Sequence, residues 1–164
     1  MISAERSLEL NELESLARRL AGRPDVWREH VRHDAGRRTY ELLLDEPHVT
    51  AWVICWMEDH DTGFHDHDLS AGAVAVVSGR VREERLRLGA APLARDFAAG
   101  ATFSFAASDI HRVTHAGDEP AVTVHAYSPP LRRLGAYLVE RGGTLRRESI
   151  SAAEELRPLT ASQA

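Results

Sequence analysis

From Arg38 onward the sequence breaks into short runs rich in β-branched and aromatic residues: YELLL (40–44), TAWVICWM (50–57), AVAVV (73–77), VREERLRL (81–88), ATFSF (101–105), AVTVHAY (121–127) and GAYLVE (135–140). Turn signals separate them at Glu46-Pro47, Ser78-Gly79, Gly89 to Pro92, Ala99-Gly100 and Gly142-Gly143. Strands this short and this closely spaced point to a mainly β fold, an antiparallel sandwich or barrel. The preceding segment reads differently. Leu13, Leu16, Ala17 and Leu20 recur at the spacing of one helical face, and Gly22 followed by Pro24 supplies a stop. A second, shorter helix is expected from about Pro24 to His33, with Val26, Trp27, His30 and Val31 on its packed face and Gly36 ending it. Two helices should therefore pack outside a β-barrel.

The chain has 164 residues and 43% apolar content, enough for one ordinary core. A single domain over 1–164 is expected: a helical part at about 5–34, a barrel at about 37–148, and a loose tail over the last eight or so residues. Twenty basic against 25 acidic residues give a net charge of -5, which provides no cationic field for a phosphate backbone and argues against nucleic acid as a partner. All the basic residues are arginine, so lysine-based chemistry is absent: no Schiff base, pyridoxal attachment or lysine general base. Cys55, the single cysteine, lies between Ile54 and Trp56 and reads as a core residue with no disulfide, suited to a reducing compartment. The N-terminus is charged and amphipathic, and no segment approaches the length of an apolar bilayer span. The expectation is a soluble, cytoplasmic protein without a membrane partner.

The histidines matter for where they fall. His65 and His67 run into an apolar strand, His111 follows ATFSF after a hairpin-like interval, and His125 lies inside AVTVHAY. In extended chain, residues i and i+2 face one side, as two ligands of one ion must. Such a pair alone is weak evidence, because histidines on a sheet face are common. Asp66 and Asp68 would alternate to the opposite side, toward solvent or other donors. Asp59, His60 and Asp61 read as a solvated loop, and His115 as a turn cap. His30, His33 and His48 carry no signal, and Trp52 and Trp56, on one strand face, read as core.

Taken with His111, the pattern resembles both motifs of the cupin superfamily. His65, His67 and Gly79 match the first motif; its glutamate position falls at Ala71 or Gly72, and Asp59 stands in place of its opening glycine. Gly100 and His111 match the second, with Ala106, Ser108 and His115 replacing its proline, glycine and asparagine. Without the glutamate, three imidazoles remain, and the chain then resembles the thiol dioxygenases, the cysteine dioxygenase family. The resemblance lies in CWMEDHDTGFHDHDLSAGAVAVVSGRVRE (55–83) and HRVTHAGDEPAVTVHAYSPPL (111–131), and spans residues 8–140.

That resemblance implies a cupin, jelly-roll-like barrel and makes His65, His67 and His111 ligands of Fe(II). It implies catalytic roles for Tyr127, whose hydroxyl would point toward the iron site, and for His125, which would hold that hydroxyl; Thr123 would extend the hydrogen-bonded chain. Gly72 falls where some members carry a cysteine cross-linked to the tyrosine, so no cross-link can form. The implied reaction joins a small thiol with O2 to give a sulfinic acid, and three neutral imidazoles suit it by leaving one face of the ion open. The family's Tyr-x-Arg carboxylate clamp reads Tyr40-Glu41-Leu42 here, which counts against cysteine itself. Tyr40, Leu42 and Arg112 are the candidate substrate contacts, with Arg37 or Arg38 as other substitutes for the missing arginine. Two further readings stay open: a metal-dependent cupin enzyme of another class (oxidative cleavage, lyase or isomerase), and a non-catalytic metal- or ligand-binding cupin. A monomer or homodimer is expected.

Overall fold

The computed structural model of the chain describes residues 6–152. The leucine-spaced segment forms helix α1 (Leu10–Ala21), whose start is tied by the Glu9 amide donating to the Glu12 carboxylate. Helix α2 (Pro24–Trp27) continues as a single 3-10 turn over Arg28–His30. It is shorter than the spacing predicts, because at Val31 the backbone turns extended and the side chain joins Trp27 over a patch of Val53, Cys55 and Val122.

The strands are β1 (Thr39–Glu46), β2 (Val49–Trp56), β3 (His65–Asp66), β4 (Ala71–Ser78), β5 (Arg80–Arg87), β6 (Ala90–Ala98), β7 (Thr102–Phe105), β8 (His111–Ala116), β9 (Ala121–Ser128), β10 (Arg133–Val139) and β11 (Leu145–Ser151). They form two antiparallel sheets, ordered β1-β2-β9-β4-β7 and β11-β10-β3-β8-β5-β6. This is the cupin jelly roll with its helices outside. The chain can turn tightly from β4 to β5 because Gly79 has φ +71 and an added Cβ would lie 2.6 Å from the Pro120 carbonyl.

Period-2 alternation decides which residues meet. Ile54, Trp56, Val74 and Val76 from the first sheet face Val81, Val113 and Leu134 from the second, forming the interior. The opposite parity of the first sheet is built from small residues, Ala51, Ala73, Ala75 and Ala126, and α1 lays Leu13, Leu16 and Ala17 on them. Truncating Leu16 there would cost about 3 kcal/mol. The inner face has a register that matters below: Leu42, Trp52, His125, Val74 and Phe103 lie in one row across the sheet, and Tyr127, Gly72 and Phe105 in the next. Adjacent row members point the same way.

Four strands go beyond the seven runs. β3 has only two residues, too few to show a period. β8 and β11 are polar at most positions. β6 covers the segment in which Gly89 to Pro92 reads as a turn; only Leu88-Gly89 is the turn, and Pro92 is accommodated because β6 is an exposed edge. The loose tail expected at the C-terminus lies outside the described residues. Among the described residues, no helix is long and apolar enough to cross a membrane.

Candidate metal centre

His65 on β3 pairs directly with His111 on β8, so both imidazoles leave the second sheet on the same side; His67, two residues on, rejoins them. The three ring centroids form a nearly equilateral triangle with sides of 4.7, 4.8 and 4.9 Å. One ligand atom from each lies within 4.8 Å of the others, and all three residues are buried. No carboxylate belongs to the group.

Hydrogen bonds select the atoms that converge. His65 Nδ1 sits 3.0 Å from the Gly63 carbonyl, and His111 Nδ1 sits 3.0 Å from Glu83 Oε1. Both partners only accept, so each Nδ1 carries the proton and each Nε2 carries the lone pair. His65 Nε2 and His67 Nε2 approach to 3.1 Å, while His67 Nδ1 is buried with no hydrogen-bond partner among the described residues. That approach suits two lone pairs directed at one ion. Burial first, then His65, push His67 and His111 well below the ordinary imidazole range and keep them neutral, the state a metal requires. The donor set fits a divalent transition metal with open coordination positions.

Across the interior the first sheet presents a hydrogen-bonded line along one face of β9. Trp56 Nε1 donates to Thr123 Oγ1 (2.8 Å), Thr123 Oγ1 meets His125 Nε2 (2.8 Å), and His125 Nδ1 meets the Tyr127 hydroxyl (3.1 Å). The Tyr127 ring stands 5.3 Å from that of His67. Burial first, then Arg38 and His65, push His125 down to about 3, so it acts here as a neutral hydrogen-bonding group. Gly72 leaves room for both neighbours: an added Cβ would lie 2.4 Å from Phe105 and 2.9 Å from Tyr127.

The family model described as cysteine dioxygenase type I matches residues 2–140. The chain belongs to the cysteine dioxygenase type I family. Cysteine dioxygenase type 1 from Danio rerio is 27% identical over 140 residues, 77% of this chain and 68% of that protein. The Bos taurus protein of the same name is 23% identical over 146 residues, 82% and 72% of the two chains. Solved structures similar in fold include a double-stranded β-helix protein from Klebsiella pneumoniae (TM-score 0.55, 20% identity, 62% of this chain and 80% of that one). Another is a Bacillus halodurans protein (TM-score 0.54, 20% identity, 73% and 83%).

Against this family background, other positions read from the sequence fall differently. Tyr40 and Leu42 lie on the inner parity of β1, opposite Ile54 and Trp52, and both are more than one-third exposed. Arg112 is not brought to the site. Its place between His111 and Val113 turns it to the outer face of β8, where Asp61 grips the guanidinium at both oxygens and Glu84 stands 3.6 Å away. Arg37 is exposed beside Asp34, whereas Arg38 is buried with its guanidinium 5.3 Å over the Trp56 ring. The Asp59–Asp61 segment is less open than a solvated loop: His60 is buried, accepting from the Met57 amide, and Asp61 is held by Arg112. His115 stays outside the triangle, 2.7 Å from the Glu119 carbonyl.

Glu83 escaped the sequence reading, whereas Asp66 meets donors on the outward side, as its alternation leads one to expect. Glu83 is 1% exposed and bonds His111, Arg85 and Arg95. Its signal was its parity: it alternates with Val81 and so faces inward. Asp66 is also buried, and its carboxylate accepts from Arg147 twice, from the Tyr137 hydroxyl, and from the amides of Asp68 and Gly135. Burial pushes its pKa up, but the Arg147 and Tyr137 hydrogen bonds outweigh that and hold the carboxyl well below its usual range.

Proposed function

We propose that this chain is an iron-dependent thiol dioxygenase that converts a small thiol and O2 to the sulfinic acid, RSH + O2 → RSO2H, within the cytoplasm and as a monomer or homodimer. The observation that carries this is the triangle of neutral imidazoles without a carboxylate, facing Tyr127. His65, His67 and His111 would hold Fe(II), and the bound ion would supply positive charge that favours the thiolate together with activation of O2. Tyr127 supplies a directed hydrogen bond to the reacting groups. His125 fixes the phenol oxygen, and Thr123, itself fixed by Trp56, fixes the imidazole. If the line carries its protons from Thr123 toward Tyr127, His125 Nδ1–H donates to the phenol oxygen and the phenol O–H turns to the substrate. Burial first, then Arg38 and His65, keep His125 unprotonated well below neutral pH, so it can take up this role.

Leu42 argues for a thiol other than cysteine. With Tyr40, whose ring packs 5.8 Å from that of Trp52, it makes the inner row of β1 amphipathic rather than cationic. An unpaired substrate carboxylate beside Leu42 would be strongly disfavoured. Of the three arginines considered, Arg38 stands on the interior side, so an acidic group in the substrate would turn toward Trp56 instead. Oxygen uptake by Fe(II)-loaded protein, measured with a panel of neutral and acidic small thiols and with mass spectrometry of the products, tests the reading. One equivalent of sulfinate per O2 is expected with at least one thiol. Absence of thiol-dependent uptake across the panel would overturn it.

A further inference from the structure

The ligand His111 differs from its two companions in what stands behind it. His65 rests on a backbone carbonyl, and His67 Nδ1 has no partner among the described residues, but His111 rests on a full carboxylate. Burying a charge this deeply costs several kcal/mol unless it is paired and hydrogen-bonded. Glu83 is bonded on both oxygens: Oε1 takes His111 Nδ1 and Arg85 Nε, each at 3.0 Å, and Oε2 takes Arg95 Nη2 at 3.1 Å. Arg85 is itself fixed, since its guanidinium also bonds the Ser104 carbonyl of β7 and lies 3.4 Å from Asp109. The anion is thus locked in place by elements of both sheets.

A fold that needed only to fill this space would use an apolar residue here, as it does at Val81 and Val113 on the same inner surface. Instead, a charge is carried to the back of one imidazole. We propose that Glu83 is a positioning residue for the metal centre: it fixes the Nδ1–H tautomer of His111, aims Nε2 at the ion, and raises that nitrogen's donor strength through its negative charge. This rests on the metal-centred reading above. It also accounts for an all-imidazole centre with no carboxylate ligand, because the anion acts through the imidazole while Arg85 and Arg95 balance its charge. The ion then keeps its open face and still gains affinity from a nearby carboxylate.

The test is Co(II) binding to metal-free full-length protein, followed by its visible ligand-field bands, for wild type, Glu83→Gln and Glu83→Ala. Imidazole nitrogen NMR of the same metal-free samples reads the His111 tautomer. Glu83→Gln keeps an acceptor but removes the charge and should raise the Kd about threefold to tenfold; Glu83→Ala should raise it about ten- to a hundredfold and release the tautomer. A merely structural role would lower the metal-free melting temperature while leaving the Kd of the folded fraction and the tautomer unchanged, and that result would overturn the proposal. If wild type takes up neither Co(II) nor Fe(II), the proposed function fails. The inference then falls with it, whereas metal uptake by a wild type whose His111 is Nε2–H refutes the inference alone.

Discussion

The three residues His65, Asp66 and His67 have two opposite faces that are finished in different ways. On the outward face, Asp66 is saturated: five hydrogen bonds from β10, β11 and the adjoining turn leave its carboxylate nothing more to accept. On the inward face, two imidazoles bring their Nε2 atoms together at 3.1 Å, and behind one of them a buried Nδ1 has no partner among the described residues. Burial is similar on both sides, so burial does not explain the contrast. A buried polar group satisfied by the protein is part of the architecture, whereas a convergent set the protein leaves incomplete is where a ligand fits. The outward face holds the strand so that the inward face can hold an ion.

The contrast can be broken from the inside first. His67→Ala should lower bound iron from about one equivalent to less than a tenth, with thiol-dependent turnover reduced by about a thousandfold or more. Its metal-free form should keep the wild-type fold and lose stability only through the cavity left beside Phe105; elemental analysis and circular dichroism check this. From the outside, Asp66→Ala should cost about 3 kcal/mol in denaturant unfolding, because it strands the hydrogen-bond donors of Tyr137 and Gly135. It should weaken metal binding only as the strand loosens. If Asp66→Ala abolished iron while leaving stability untouched, the two faces would have been assigned the wrong way round.

Finer changes sharpen the comparison. Tyr127→Phe removes a hydroxyl from the wall facing the triangle and should retain iron while turnover drops about ten- to a hundredfold. Gly72→Ala places a Cβ inside the Phe105 ring and should cost about 1–3 kcal/mol by overpacking, read in the same unfolding assay. A further difference concerns pH. The folded value of His125, about 3, lies below the ordinary 6.5, so between these limits the unfolded chain binds a proton that the folded chain refuses. Its contribution to stability is complete above pH 6.5 and is lost as pH falls toward 3, by about 1.4 kcal/mol per pH unit once well inside the window. In metal-free His125→Asn, the decline between pH 6 and 4 should be shallower by about one proton.

Much of this was legible in the sequence where an element buries one face. The i, i+3, i+4 spacing of Leu13, Leu16, Ala17 and Leu20 marks α1, and β-branched alternation marks β2, β4 and β9, the strands that form the centre of the first sheet. The three histidines could be grouped through their family resemblance, although nothing local links His111 to residues almost fifty positions earlier. What stayed hidden has little periodicity or a distant partner. β6 is exposed along nearly its whole length, so no apolar alternation records it. Asp66 was assigned to solvent or other donors because its principal partner, Arg147, lies on β11, a polar strand that did not stand out. Glu83 was hidden within VREERLRL, where one inward carboxylate among several charges resembles a solvated face. Arg112 misleads in the opposite sense: it follows the candidate ligand His111, but alternation carries it to the outer face.

Anomalous diffraction at the iron edge from crystals loaded with Fe(II) under anaerobic conditions goes straight to the central claim. One peak bonded to the Nε2 atoms of His65, His67 and His111, with no protein carboxylate in its coordination sphere, is the expected result. An ion bound elsewhere, or one that recruits Glu83 or Asp66 as a direct ligand, would contradict the account.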